Sequence, residues 1–452
     1  MTCEHEPKIA TVCAHVVDDC IETFTGRGNE TIFLCATCVT TNDRSALVRW
    51  CQACVDEHIY VENHAGEPEI IHAPHPLALR TTTRTVNIPA LDSLTPFGTA
   101  CRDHWFGISP ERVIYELVDG VATALVTVPP EIAGTVAIHV SPNRRFLAVT
   151  DFRGTHGTVF DLVAKTSHVL TRDGYHSNQA DYPFAFVGTD RYIHSPRWNR
   201  LDLCDAATGA CLTERTADEL EAHHRDYFHG GLTLSPDGAL LYNDGWVWGA
   251  DGMPSVSAIE PWLAKKFETE DGPSLKRFGY RAYAWNLPHA WLSNTQVISW
   301  GYGRDIDTLV RSAEIYDALS GKRVCWFGGV SRGKFHVDGP HLLSLLSQQL
   351  EVWNVDRGAL VAVIDHAGLG YYHPAAKLFV SNIVDGKQTI GYLAGHHAIA
   401  DARVHAINQR RDAADLPILA DLLEQLGAQE RLTAHCRESH TGHTCWVFDR
   451  IG

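Results

Sequence analysis

Positive charge is scarce in this chain. Against 54 Asp+Glu stand only 38 Lys+Arg, a formal net charge of −16 over 452 residues. Binding to nucleic acid needs a basic surface that displaces counterions from phosphates, so no nucleic-acid partner is expected. Long apolar runs are also missing. Nothing approaches the roughly eighteen apolar residues of a membrane span, so no membrane partner is expected either. The opening stretch, MTCEHEPKIATVCAH, has neither the basic start nor the apolar segment of a secretory signal, and a cytoplasmic location is the expectation. Neither a Gly-rich phosphate loop closed by Lys-Ser/Thr nor a His-Glu-x-x-His helix signature occurs. No catalytic residue and no organic cofactor site is nominated.

What the chain does have is cysteine in one place. Seven of its 13 cysteines fall in the first 54 residues. Four form two Cys-x-x-Cys pairs, Cys35-Ala36-Thr37-Cys38 and Cys51-Gln52-Ala53-Cys54, with twelve residues between them. Two such knuckles supply the four thiolates of a tetrahedral zinc site. Bound zinc would contribute roughly 10–16 kcal/mol of apparent folding free energy, which a segment this small needs. Two further chelating pairs precede them, Cys3-Glu4-His5 and Cys13-Ala14-His15. Four pairs make eight ligands, enough for a second zinc. One grouping is cross-braced: Cys3, His5, Cys35 and Cys38 on one ion, and Cys13, His15, Cys51 and Cys54 on the other. The alternative places both knuckles on one ion and both Cys-x-His pairs on the other. Spacing does not choose between them, and Cys20 and His58 are spare donors. Closed four-ligand sites leave no position for a reacting water, so the zinc is expected to be structural.

Three parts are expected. Residues 1–75 form a small zinc-binding domain. A linker marked by Pro74 and Pro76 follows, then β-rich sequence over 84–395, then a helical module over 396–452. Four segments of the middle part share one pattern, an apolar pair, Asp or Asn, a turn, and a second apolar run. They are VFDLVAKTSHVL (Asp161), LCDAATGACL (Asp205), IYDALSGKRVCWF (Asp317) and VWNVDRGALVAVI (Asn354). Each reads as two strands joined by a tight turn, with the Asp or Asn capping it. Strand–Ser-Pro–turn–strand signals, HVSPNRRFLAVTD and LTLSPDGALLYND, lie upstream. Asp161 to Asp205 is 44 residues and Asp317 to Asn354 is 37, which brackets the repeat of a four-stranded propeller blade.

The expected fold class is therefore mainly β, a propeller of about seven blades. Blades are placed near 98–133, 136–175, 180–216, 228–262, 285–328, 333–366 and 369–395, with an insertion near 254–284. The last is short of a full blade, and the strand RTVNIPA (84–90) is expected to complete it. Closure of this kind removes exposed sheet edges. The stretch resembles the Trp-Asp repeat propellers. Here the terminal Trp-Asp pair is Phe-Asp, Cys-Asp, Tyr-Asp and Trp-Asn, and the opening Gly-His pair is mostly absent.

At the C-terminal end, DLPILADLLEQLG has Asp415 as N-cap, Pro417 in the first turn and Gly427 as the stop. With HCRESHTGHTCWVFDRIG, it resembles a short helical companion module found at the ends of large planctomycete and myxobacterial proteins. That resemblance implies a bacterial modular protein and no chemistry. The nearby His435, Cys436, His440, His443 and Cys445 read either as a third metal site or as packing beside Trp446 and an exposed loop.

The functional expectation is a protein–protein interaction scaffold, with the propeller as platform and the zinc domain as a second contact. It leans on what propellers generally do. The competing expectation is a metal-dependent hydrolase or lyase using histidines in the propeller channel. The candidates are His139, His229, His289, His336 and His373, all at blade-starting strands; the plainer reading makes them hydrogen-bonded rim residues. Aromatics crowd 246–302 and read either as blade core or as an exposed aromatic and acidic contact on the insertion.

Overall fold

The computed structural model describes the backbone of four early strands and, beyond them, residues 70–73, 77–98, 103–248, 251–272, 274–279, 281–282, 285–305 and 308–394. The early strands are β1 (Ile9–Cys13), β2 (Ile21–Thr25), β3 (Thr31–Cys35) and β4 (Leu47–Cys51), in one sheet of order β2-β3-β1-β4. The expected C-terminal helical module lies outside the described residues. Among the described residues no helix is long and apolar enough to cross a membrane.

Residues 78–394 form seven antiparallel sheets, the blades of a propeller, at 92–127, 136–171, 184–205, 228–282, 289–328, 334–365 and 369–394. In five of them the strands pair in chain order outward from the first; in the fourth the second strand pairs with three others, and in the seventh the outermost strand comes from the other end of the ring. The third blade has three strands, with a lone Cys204–Cys211 bridge where a fourth would begin. The fourth carries the expected insertion, two short helices, Ile259–Leu263 and Glu268–Asp271. These helices do not present an aromatic contact to solvent. Trp262 and Phe267 are buried against Leu201 and Leu203 of the third blade, and the buried Glu270 pairs with Arg215. The insertion thus fills the interface beside the incomplete blade.

The strand that completes the seventh blade is β5, Ala78–Thr85, which pairs antiparallel with Lys387–Ala394 along all eight residues, from Thr85 opposite Lys387 to Ala78 opposite Ala394. Closure was expected over 84–90, so the closing strand begins six residues earlier, inside what reads as linker. Its sequence ALRTTTRT is rich in Thr, which suits strands. Beyond β5 the Leu91 and Ile383 backbones exchange two hydrogen bonds of 3.2 and 2.9 Å. Arg84 ties the seam across two blades. Its Nε and Nη2 donate to Gln388 Oε1 of the seventh blade at 3.0 and 2.6 Å, and its Nη1 donates to Asp103 at the first.

Seven apolar clusters hold the ring, one between each pair of neighbouring blades. Phe106, Ile114, Ile138 and Leu147 join the first and second blades, and Trp300, Ile315, Leu342 and Trp353 join the fifth and sixth. At the seam, Trp105 and Leu117 of the first blade meet Val380 of the seventh and Ile383 just beyond it. The alternation of each strand places large side chains on both faces of a blade, and stacking blades around a ring buries both.

The repeated turns follow the sequence pattern. Backbone amides two to three residues on donate to Oδ1 of Asp161, Asp205, Asp317 and Asn354 at 2.7–3.1 Å. Four residues after each capping residue the chain takes positive φ, at Lys165 (57°), Gly209 (74°), Gly321 (75°) and Gly358 (57°). Glycine fits three of these; Lys165 carries the strain in the fourth.

A chain starting at residue 86 lacks β5 and leaves Lys387–Ala394 as an open edge. It is expected to lose its single cooperative urea transition and to aggregate, whereas a chain starting at residue 70 keeps the transition. Size-exclusion chromatography and equilibrium denaturation check both, and a chain from 86 as stable as one from 70 would show that closure contributes nothing.

Candidate functional site

A meandering blade has two faces. Turns between first and second strands, and between third and fourth, lie on one; connections between blades, and turns between second and third strands, lie on the other. The candidate site lies on the second face. There, residues from the entries to the third, fifth and sixth blades and from the first two strands of the fourth line a cavity of about 530 Å³. Its titratable lining is Asp181, Asp244, His289, Arg332 and Lys334, and Asn286 and Ser347 add neutral polar groups.

Asp244 lies in the second strand of the fourth blade, opposite Gly231 of the first. The pairing shifts register between Phe228 and Gly231, and a Cβ at Gly230 would collide with the Asp244 carbonyl oxygen, so only glycine permits this bulge. The Asp244 carboxylate is 1% exposed. Its Oδ2 accepts from the Leu287 amide at 2.6 Å, while Oδ1 has no partner. Burial, with the nearby Asp181 charge adding to it against the pull of Arg281, pushes its pKa up to about 7. Burial also raises Asp181, whose ion pair with Arg153 at 3.1 Å opposes the shift. His289 is held neutral, its pKa lowered by burial to about 4; its Nδ1 lies 3.0 Å from Leu287 O and its Nε2 3.2 Å from Thr233 Oγ1. Lys334 extends over the Tyr371 ring and donates to Gly370 O at 3.0 Å. At neutral pH the cavity therefore holds one buried carboxyl near its midpoint with an oxygen still open to a donor.

An aromatic cluster adjoins this cavity. Phe228 and Trp246 stack at 3.9 Å with planes 8° apart, and Trp285 stacks on Trp246 at 5.1 Å. Tyr175, His176, Trp198 and Trp248 surround them. Tyr175 and Trp248 remain 48% and 46% exposed. The cluster is coupled to the cavity through Gln179, whose carbonyl accepts from Trp285 Nε1 at 2.6 Å and Asn286 Nδ2 at 3.0 Å, while Asn286 Oδ1 accepts from the Asp181 amide. Only Trp246, Trp248 and Trp285 of this group belong to the aromatic crowding seen in the sequence. Trp300 packs as blade core, and the other members of the cluster come from earlier in the chain, Phe228 from the first strand of the same blade.

The five nominated histidines do lie on first strands, each on its own blade. They do not converge. His139 lies 3.4 Å from Thr150 Oγ1, His229 pairs with the Asn243 amide at 2.7 Å, and His373 lies 3.0 Å from Phe97 O. Burial lowers all five, His139 and His336 to about 4. Among the described residues no group of three or more His, Cys, Asp and Glu is placed to hold a metal.

The chain also contains one Gly-x-Ser-x-Gly, at 329–333, which sequence reasoning passed over. It is no nucleophile elbow. Ser331 lies between the fifth and sixth blades, and its hydroxyl donates to Glu351, which also accepts from Trp353 Nε1 at 3.0 Å. The signature needs a strand–turn–helix and a partner histidine, and Ser331 has neither. The cavity residues themselves carry no linear signal, since they come from separate blades.

Of the nominated zinc ligands, Cys13, Cys35 and Cys51 are the last residues of β1, β3 and β4. Cys3, His5, His15, Cys38 and Cys54 lie outside the described residues, as does the C-terminal Cys/His group. No protein-family model matches this chain, and no curated protein matches it.

Because the pKa of Asp244 is raised from 3.8 to about 7, the stability tied to this carboxyl is full below about pH 4 and is lost as pH rises through about 7. Asp244→Asn keeps the Leu287 hydrogen bond and removes the titration. The variant is expected to gain at least about 1 kcal/mol over wild type at pH 8, with the difference vanishing toward pH 4. Urea denaturation across that range measures it, and a pH-independent difference would place the carboxyl in solvent.

Proposed function

We propose that this protein is a protein-binding adaptor whose propeller takes a segment of its partner on the face bearing the inter-blade connections. The observation that carries this reading is the aromatic cluster beside the cavity. Two half-exposed rings are backed by a stacked core, next to a buried carboxylate with an open oxygen. Rigid aromatic anchors beside a desolvated polar group are the makings of an interface hot spot. The partner is a basic segment: a lysine or arginine enters the cavity toward Asp244, and flanking apolar side chains lie on Tyr175 and Trp248. A chain of net charge −16 favours such a partner at long range.

The finer assignments are part of the same proposal. Kinship with the Trp-Asp repeat propellers is supported by Asp161, Asp205, Asp317 and Asn354 occupying one equivalent turn. The N-terminal segment takes structural zinc through its Cys and His pairs, in a cytoplasm that keeps the thiols reduced, and offers a second contact. The hydrolase or lyase reading has less in its favour, because its histidines are held on separate blades by separate partners.

The test places a photo-crosslinking residue at position 248 of the full chain, and in a second protein at Val163, which is 74% exposed in a turn of the opposite face. A partner crosslinked from 248 is then titrated against variants. Tyr175→Ala with Trp248→Ala is expected to weaken binding at least tenfold, and Asp244→Asn severalfold, while Val163→Asp changes nothing. Crosslinks only from 163, or binding indifferent to the aromatic pair, would move the interface elsewhere.

A further inference from the structure

The third blade ends in a pair of cysteines. Its last strand, Arg200–Asp205, turns at the capping Asp205, and Cys204 comes to lie opposite Cys211. The Asp205 amide donates to Ala210 O at 2.9 Å and the Leu212 amide to Leu203 O at 2.8 Å. These two bonds flank the cysteines, which therefore form a non-hydrogen-bonded pair of an antiparallel ladder. In the other three Asp or Asn turns the same position holds Phe160 opposite Ser167, Tyr316 opposite Arg323 and Trp353 opposite Leu360. There a fourth strand runs on for six or seven residues. Here the ladder stops, and the Leu203 amide donates instead to the Thr213 hydroxyl at 2.9 Å.

The geometry of this pair suits a disulfide. Cα atoms in a non-hydrogen-bonded pair lie about 4.5 Å apart with side chains on one face, within the roughly 4.4–6.8 Å that a disulfide spans. The turn is already fixed, since Asp205 Oδ1 accepts from the Ala207 and Thr208 amides at 3.1 and 2.8 Å. The two thiols also touch. Cys204 donates to the Cys211 sulfur, which lowers the Cys211 pKa to about 6; the same contact, with burial, raises that of Cys204. Cys204 is 3% exposed, whereas Cys211 is open to solvent. One sulfur is thus an accessible thiolate and the other a buried thiol directly behind it. Thiolate character and access set the rate of oxidation, and a resolving thiol in contact captures the product. Cys325 offers a contrast in the same chain: it is exposed too, but partial burial raises its pKa.

We propose that Cys204 and Cys211 are a redox-active dithiol, which a hydroperoxide converts to a cross-strand disulfide and a dithiol reductant restores. The Cys211 thiolate attacks one peroxide oxygen. An S–O bond forms, the O–O bond breaks, and the departing alkoxide takes a proton from solvent. Cys211 is then a sulfenic acid. The Cys204 sulfur attacks the Cys211 sulfur; the S–S bond forms, the S–O bond breaks, and the hydroxide leaves as water with the Cys204 proton. Two thiols and one hydroperoxide give one disulfide, one alcohol and one water. The sulfurs lose two electrons and the peroxide gains them. A dithiol reductant supplies two electrons and two protons in return and becomes a disulfide itself. The cross-strand bond pins the segment that leads to Arg215, whose ion pair with Glu270 holds the insertion in place.

The test treats the folded full chain with hydrogen peroxide, blocks the remaining thiols with iodoacetamide and digests with trypsin. Residues 201–215 form one tryptic peptide that carries Cys204 and Cys211 and no other cysteine. That peptide is expected to lose two hydrogens and take no label, and to become doubly labelled once dithiothreitol is added before the block. Without peroxide, Cys211 is expected to take label at least tenfold faster than Cys325. In Cys204→Ser, Cys211 is expected to stop at a sulfenic acid that dimedone traps, whereas in Cys211→Ser the buried Cys204 stays a thiol. A peptide still doubly labelled when Cys325 is already oxidised overturns the proposal. So does a disulfide from either cysteine to another part of the chain, or a peptide that closes as fast in urea as in the folded protein.

Discussion

The eight-residue ladder between β5 and the strand Lys387–Ala394 is the contact on which the rest of the propeller depends. It joins segments more than 300 residues apart. Without it the seventh blade has three strands and an open edge. With it, the interface between the seventh and first blades becomes equivalent to the other six, each filled by its own apolar cluster. Arg84 adds a polar tie at the same seam, reaching Gln388 on one blade and Asp103 at the other. Closing a loop this long is entropically costly, though the cost grows only slowly with length. The gain is a ring in which both faces of every blade are buried.

A closed ring fixes the candidate site. Asp181, Asp244, His289 and Arg332 are far apart in sequence, and each is carried by a different blade or connection. Their mutual placement follows from blade packing. The same rigidity permits a buried carboxyl with an open oxygen, because neighbouring strands do not relax around it. Tyr175 and Trp248 are held partly in solvent by the Phe228–Trp246–Trp285 stack behind them. The site is thus prepared for a ligand by interactions that do not involve one, which lowers the entropy lost on binding.

Much of the fold is legible in sequence because blades repeat short local signals. The Asp or Asn turn cap and the Ser-Pro turn act within a few residues, so pattern alone located most blades to within a few positions. Ser141 and Ser235 show how local this is: each side chain accepts from the amide five residues on, at 2.9 Å. Closure was legible in kind but misplaced, since Pro74 and Pro76 made the start of β5 resemble a linker. The insertion was legible in place, and of its two readings burial holds for Trp262. What covers it was not legible, because the sequence does not show that the third blade lacks its outer strand. The cavity was not legible, because its residues share no local spacing. The five histidines were found on the right strands, but convergence is a property of the ring and not of any one strand.

Amide hydrogen exchange on the full chain tests the central constraint most directly. If closure by β5 holds the propeller together, the hydrogen-bonded amides of 78–85 exchange only through the same global opening as those of the fully buried strand Phe146–Asp151. Rapid exchange over 78–85 while Phe146–Asp151 stays protected would mean that the ring stands without its seam, and the account would be wrong.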